Sequence, residues 1–362
     1  MDAAKSHLAG SAGSGLAGPG GSVGASAEGV DVVLETRGLG HGFGDFPVLT
    51  GIDLRLARGQ IVALVGPSGC GKSTLLRAIL GTHPAREGRV LMDGREVRGP
   101  GRDRGIVYQR YSLYPFLTAR QNVAFGPLLD ESSLPMRWLR PWRWWPMRRR
   151  HLAEADAWLA RVGLAGAGDR YPAELSGGMR QRVAFAAAKI MKPRVLLLDE
   201  PFGALDEATR EDLQDMLLLR YRENLAAASA GEPPPHTILI VTHELNEALI
   251  VADRVLGLSQ YWDWQSAGYS ACPGATIVYD RPAPIFSPGQ RVDHGSLAEQ
   301  REAIRRIVFD PQTRPVPAEH CRYWQEVAEG QPGSVLESVT RARGTRLDRG
   351  PGGDGSKEVT DV

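Results

Sequence analysis

The nine-residue run Gly66-Pro67-Ser68-Gly69-Cys70-Gly71-Lys72-Ser73-Thr74 constrains this chain more than any other feature. It follows the apolar, strand-like run Ile61 to Val65 and opens into the helix-like run Leu75 to Leu80. A strand that enters a Gly-rich turn at a helix N-terminus exposes several backbone N–H groups around one point, where the helix dipole is positive. Glycine lets the backbone wrap that closely around a phosphate. In such a loop Lys72 reaches the outer phosphates and the Ser73 hydroxyl ligates Mg²⁺. A plain surface turn would need neither the Lys-Ser pair nor both flanks. The run therefore implies a bound nucleoside triphosphate. Cys70 fills a variable position in it, and no chemistry is assigned to its thiol.

Bulk composition excludes several classes. The 362 residues suffice for one large domain or two modest ones, and a net charge of +1 lacks the basic excess of a general nucleic-acid binder. Three scattered cysteines, Cys70, Cys272 and Cys321, form neither a disulfide framework nor a metal cluster and suit a reducing cytoplasm. No run approaches the ~20 apolar residues of a membrane-spanning helix. Residues 1–30 and 341–362 read as flexible tails from their Gly, Ala, Ser and Pro content.

Between the tails the pattern is α/β. Val32 to Glu35, Ile52 to Leu56 and Val62 to Val65 read as strands, and Asp93-Gly94 between two alternating runs reads as a hairpin turn. Gly105 to Tyr108, Arg194 to Leu198, Thr237 to Val241 and Arg254 to Ser259 add further short strands. Continuous apolar runs such as Val195 to Leu198 and Ile238 to Val241 belong to a parallel sheet covered on both faces. From about Tyr111 to Ile190 the periodicity is helical, so a helical lobe interrupts the sheet domain.

Two more segments carry chemistry. Val195 to Leu198 runs into Asp199 and Glu200, two carboxylates at the edge of a parallel sheet where ligands of such folds bind. Neighbouring strand residues face opposite ways, so Asp199 can hold Mg²⁺ while Glu200 polarises an attacking water. Leu175-Ser176-Gly177-Gly178-Met179-Arg180-Gln181-Arg182 places Ser176 and two glycines at a helix start. That is an ordinary N-cap and also a second anion site.

These three segments, with Pro201-Phe202-Gly203-Ala204-Leu205-Asp206 and Thr242-His243-Glu244, resemble the nucleotide-binding subunits of ABC transporters in order and spacing from about residue 31 to 260. The wording is most similar to the ATPase subunits of nitrate, sulfonate and taurine importers. The resemblance implies an α/β P-loop NTPase fold with a mostly parallel core sheet, an antiparallel β subdomain and an inserted helical lobe at about 111–190. An ATPase domain is expected at 31–275, with 276–340 as a partly helical extension beyond the resemblance. The resemblance implies ATP and Mg²⁺ as ligands. Phe43 then stacks on adenine, with His41 and Phe46 as neighbouring rivals. Gln109 contacts Mg²⁺ and water, and His243 contacts the γ-phosphate. Asp206 crosses a dimer interface, and Ser176, Gly177 and Gly178 close over the ATP of a second copy. The implied partners are that second copy, membrane permease subunits and an associated solute-binding protein, at the cytoplasmic face of the inner membrane. The rival reading is a soluble ABC-type ATPase acting on nucleic acid or a protein complex.

Two features depart from the family pattern. Met136 to Arg150 interleaves four of the eight tryptophans with arginine. Contact with the permease or the lipid surface is favoured over single-stranded nucleic acid, and packing on the protein's own surface is the plain alternative. Pro141 and Pro146 argue against one long helix there. Ala226 to Pro235 reads as a surface excursion. In the extension, a helix is expected at about 296–309 and a second at Val316 to Ala328, burying Tyr323, Trp324 and Val327. A cap on the core is favoured over a regulatory unit.

Overall fold

The structure is a computed structural model that describes residues 30–109, 112–133, 139–203, 205–284, 286 and 294–328. The expected tails at 1–29 and 341–362 and residues 329–340 of the extension lie outside the described residues, as do 136–138 of the Arg/Trp segment and Ala204.

Among the described residues ten strands form two sheets. β1 (Val32–Phe43), β2 (Phe46–Ala57), β4 (Glu87–Met92) and β5 (Arg95–Glu96) pair antiparallel in the order β2-β1-β4-β5. The first two, at 12 residues each, are more than twice the expected length, because the Gly44-Asp45 turn joins them as one long hairpin with Phe43 opposite Phe46. Asp93-Gly94 makes the turn between β4 and β5, as its residue types require.

The second sheet contains β3 (Ile61–Val65), β6 (Arg104–Val107), β7 (Val195–Asp199), β8 (Thr237–Thr242), β9 (Arg254–Ser259) and β10 (Thr276–Pro282), in the order β10-β9-β3-β8-β7-β6. All neighbouring pairs are parallel except β10 with β9. Alternation along its strands separates two cores. Val62, Leu64, Leu197, Leu239, Val241 and Leu256 face the antiparallel sheet and α1 (Lys72–Leu80). Ile61, Ala63, Leu196, Leu198, Ile238 and Ile240 face the remaining helices. Both faces are covered, which is why these strands are apolar without interruption.

The helical lobe consists of α2 (Ala119–Glu131), α3 (Pro141–Arg161) and α4 (Gly177–Lys189). Thr118 caps α2 through a full capping box with Gln121. The expectation that proline breaks the Arg/Trp segment is wrong. Pro141 takes the first helical position, where its missing N–H costs nothing, and Pro146 stands on the exposed side, where solvent reaches the carbonyl four residues back.

Two boundaries also move. α5 (Glu207–Ser229) runs through Ala226, Ala227 and Ala228, strong helix formers, so only the last part of the expected excursion is loop. Asn224 on α5 fastens the start of β8 by donating to the Gly59 and His236 carbonyls (2.8 and 2.7 Å) and accepting from the His236 N–H. After β8 come α6 (Leu245–Val251) and β9. β10 pairs with β9 in the same sheet, so the fold continues past the domain limit expected at 275.

The extension packs on this core. α7 (His294–Ile304) is followed by a π turn, Arg305–Phe309, that buries Ile307 and Val308. The second expected helix is split into α8 (Pro317–His320) and α9 (Tyr323–Ala328), because Cys321 leaves helical geometry and bridges Asp280 of β10. Tyr323 and Trp324 are buried, as expected, and Val327 is partly so. They roof a buried ion pair. Arg254 donates to both Asp280 oxygens at 2.7 Å and to the Arg55 carbonyl at 2.7 Å, and its guanidinium lies 4.1 Å over the Tyr323 ring. This is the packing of a cap. Asp280→Asn leaves that guanidinium buried without its countercharge and is expected to lower stability by about 3–5 kcal/mol in urea unfolding.

Candidate nucleotide-binding site

Parallel pairing brings four strand ends to one edge. β3 ends in the Gly-rich loop, β6 leads to Gln109, β7 ends at Asp199 and Glu200, and β8 leads to His243. Gly66 leaves no room for a side chain, since a Cβ there would meet the Leu258 carbonyl oxygen. Gly71 sits at φ +102°, a conformation that disfavours L side chains. It is the N-cap of α1, and no side chain caps that helix. The first-turn N–H groups are thus left for an incoming anion.

Within the loop, Lys72 is buried and donates to the carbonyls of Gly66 (2.8 Å) and Pro67 (2.9 Å). Ser68, Gly69 and Ser73 are exposed, with Thr74 and Pro67 half-buried. Cys70 packs inward among Leu75 and Leu76, and burial pushes its thiol up, away from reactivity.

Asp199 is the last residue of β7 and Glu200 lies past it, so the strand alternation expected from the sequence does not set the direction of Glu200. Asp199 is half-buried; desolvation and then the adjacent Glu200 raise its pKa, opposed by the charges of Arg77 and Lys72. Glu200 has φ +47°, an uncommon conformation for this residue type, and its N–H donates to the Val241 carbonyl at 2.8 Å. One carboxylate oxygen accepts from Gln109 Nε2 at 3.0 Å, and the other lies 3.3 Å from His243 Nδ1. Three residues that are 91 and 43 positions apart in sequence are thereby joined at one point. Strain of this kind is concentrated where a side chain must be aimed.

The remaining sequence candidates lie elsewhere. Phe43 is half exposed at the end of β1, edge-on to His41 (5.2 Å between ring centroids) and His83 (6.3 Å), while Phe46 across the hairpin is more exposed still. Ser176 caps α4, its hydroxyl accepting from the Met179 N–H at 3.3 Å. Asp206 caps α5, accepting from the Thr209 N–H (3.0 Å) and hydroxyl (2.9 Å), bonds that hold its carboxyl below the usual range. Thr209 also packs directly under Gly178, where a Cβ would overlap its methyl group. The Ser176-Gly177-Gly178 turn and Asp206 are therefore one unit, built on the lobe and α5 rather than on the sheet edge.

Sequence reasoning missed Arg77, whose charge acts on Asp199, and Thr209, whose signal was its place three residues after a capping Asp. It also missed a cavity of about 260 Å³ that His243 shares with Asn246, Arg301, Arg305 and Phe309. Nothing in the local sequence of Arg301 points to His243; only the docking of α7 on α6 does.

The family model described as ABC transporter matches residues 49–203. An aliphatic sulfonates import ATP-binding protein of Bacillus licheniformis is 37% identical over 226 residues, covering 62% of this chain and 78% of that protein. The chain belongs to the ABC transporter family. A nitrate import ATP-binding protein of Synechococcus elongatus is 41% identical over 243 residues, covering 67% of this chain but only 32% of that protein. The chain thus spans about a third of the length of that relative. Among solved structures, an ATP-binding cassette seen as a dimer in a post-hydrolysis state, bound to ADP and Pi, is 25% identical, with a TM-score of 0.50 over 70% of this chain and 100% of that one. The fold is that of the P-loop NTPases, as expected from the loop and the strand pattern.

In this ABC protein, Gly178→Val forces the valine against Thr209 and loosens the Asp206 cap. A loss of about 1–3 kcal/mol is expected in urea unfolding, from overpacking and the weakened cap.

Proposed function

We propose that this chain is the ATP-binding and ATP-hydrolysing subunit of a membrane importer, with a small anion or organic solute such as nitrate, a sulfonate or taurine as its cargo. The observation that carries the chemistry is Glu200, aimed by its backbone and held between Gln109 and His243 beside an uncapped, Gly-rich helix start. The import ATP-binding proteins among its relatives support the transport reading, and both named cargoes are anions.

In this reading the loop Gly66 to Thr74 surrounds the ATP phosphates, and Lys72 exchanges its loop carbonyls for phosphate oxygens. Glu200 accepts a proton from the attacking water, Gln109 orients that water, and His243 donates to the γ-phosphate. Phe43 stacks on adenine. The Ser73 hydroxyl, the Asp199 carboxylate and the Gln109 amide oxygen are hard donors suited to Mg²⁺, and the half-buried Asp199 carboxylate, whose ionised form burial disfavours, is the charge such a cation would stabilise. Bound there, Mg²⁺ supplies positive charge against the β- and γ-phosphates.

The site is incomplete in one copy. Ser176, Gly177, Gly178 and Asp206 belong to a surface that a second copy presents to this ATP, so that each nucleotide joins two chains. Hydrolysis removes the γ-phosphate and releases that joint. The dimer docks on permease subunits at the cytoplasmic face of the inner membrane, and a solute-binding protein delivers the cargo. Among the described residues no helix is long and apolar enough to cross a membrane, which leaves the crossing to another subunit in this reading.

Glu200→Gln is expected to lower ATP turnover by about 10²–10⁴-fold, the range for loss of a general base, while the ATP Kd changes little. Near-normal turnover in a phosphate-release assay removes Glu200 from its role. Phe43→Ala is expected to weaken ATP binding by about 5- to 100-fold, the worth of one base–aromatic stack, in a titration with a fluorescent ATP analogue. An unchanged affinity would transfer the stacking role to Phe46 or His41.

A further inference from the structure

The nucleotide chemistry leaves the start of α3 without a task. On this helix His151, Ala155 and Leu159 are buried and fix the inward face. Trp142, Trp145 and Arg149, spaced by three and four residues, form one stripe on the outward face, with Pro146 beside it. Trp142 is 67% exposed and Trp145 63%, and Leu139 just before the helix is 72% exposed. Two indoles about two-thirds exposed on one face are costly in water, and exposed apolar surface of this kind marks a contact. Packing on the protein's own surface, the plain alternative, is excluded for these two tryptophans by their exposure.

The charge of the same segment is one-sided. Residues 139–153 contain Arg140, Arg143, Arg148, Arg149 and Arg150 and no acidic residue, in a chain whose net charge is +1. Arg150 is committed to Glu131, and Arg148 is half-buried. Arg140, Arg143 and Arg149 lie exposed around the tryptophan stripe. Trp145, Pro146, Arg149, Arg150 and Ala153 wall a shallow hollow of about 420 Å³ along that face.

Indole favours the boundary between headgroups and acyl chains, and guanidinium pairs with phosphate. An outward stripe of Trp flanked by Arg therefore complements a flat anionic surface. Single-stranded nucleic acid is instead held in a long, positively charged groove with several aromatic platforms, whereas the hollow here has Trp145 as its one aromatic wall among the described residues. We propose that the first two turns of α3, with Leu139, bind the surface of an anionic phospholipid bilayer, with Trp142 and Trp145 in the headgroup layer and Arg143 and Arg149 on lipid phosphates. This contact does not rest on the nucleotide reading and is tested without ATP.

The full chain is mixed with vesicles of phosphatidylglycerol and phosphatidylcholine in equal parts, or of phosphatidylcholine alone, and sedimented. Binding to the anionic vesicles, weakened by added salt and at least about tenfold weaker in Trp142→Ser/Trp145→Ser and in Arg143→Glu/Arg149→Glu, is the expected result. Quenching of tryptophan fluorescence by bromine-labelled lipid, lost in the Trp142→Ser/Trp145→Ser variant, gives a second readout. ATP turnover and melting temperature of both variants stay at wild-type values, so a folding defect or a failure of the ATPase reading shows separately. Absence of binding to anionic vesicles, or equal binding by wild type and both variants, overturns the proposal. Stronger binding to a single-stranded oligonucleotide, lost in the same variants, overturns it in favour of nucleic acid.

Discussion

The candidate site depends on the parallel pairing of β6, β7, β8 and β3. Because these strands run in one direction, their C-terminal ends meet at one edge, although their residues come from distant parts of the chain. The pairing is possible only while both faces are dry. The antiparallel sheet and α1 seal one face, and α4, α5, α6 and α7 seal the other. Glu200 depends on the same ladder, since its strained backbone is tied to Val241 of the neighbouring strand. A loss of register in β7 would displace the carboxylate, the Gln109 contact and the His243 contact together.

The most local signals were the most legible. The Gly-rich loop, the apolar run before Asp199, the Ser176 turn and the Asp93-Gly94 hairpin each depend on residues adjacent in sequence, and each stands where its residue types require. The convergence of Gln109, Glu200 and His243 was reachable only through resemblance, because no spacing rule joins residues on separate strands. Pro146 misled because a proline rule ignores which side of the helix meets water. Ala226 to Ser229 was read as linker although its alanines are strong helix formers, and Asn224 just before them ties that helix to the start of β8. The split between α8 and α9 was illegible, since the bridge from Cys321 to Asp280 sets it.

In the proposed mechanism a single copy is a half-site. Thr209 ties Asp206 to Gly178, so the Ser176 turn and the Asp206 cap form one packed element. An element of this kind is suited to meeting a second nucleotide from outside. The cavity that joins His243 to Arg301 and Arg305 places the extension against the same edge of the sheet, so its docking and the site are mechanically adjacent.

The central claim, that each ATP is shared between two copies, is tested most directly by mixing two inactive variants. Lys72→Ala disables the loop of one copy, and Ser176→Arg disables the turn it offers its partner. Each variant alone is expected to hydrolyse ATP at background level, whereas the mixture recovers turnover, because every mixed dimer contains one intact site. A mixture that stays at background while mixed dimers form, or a Ser176→Arg variant that retains full activity alone, would contradict the shared site.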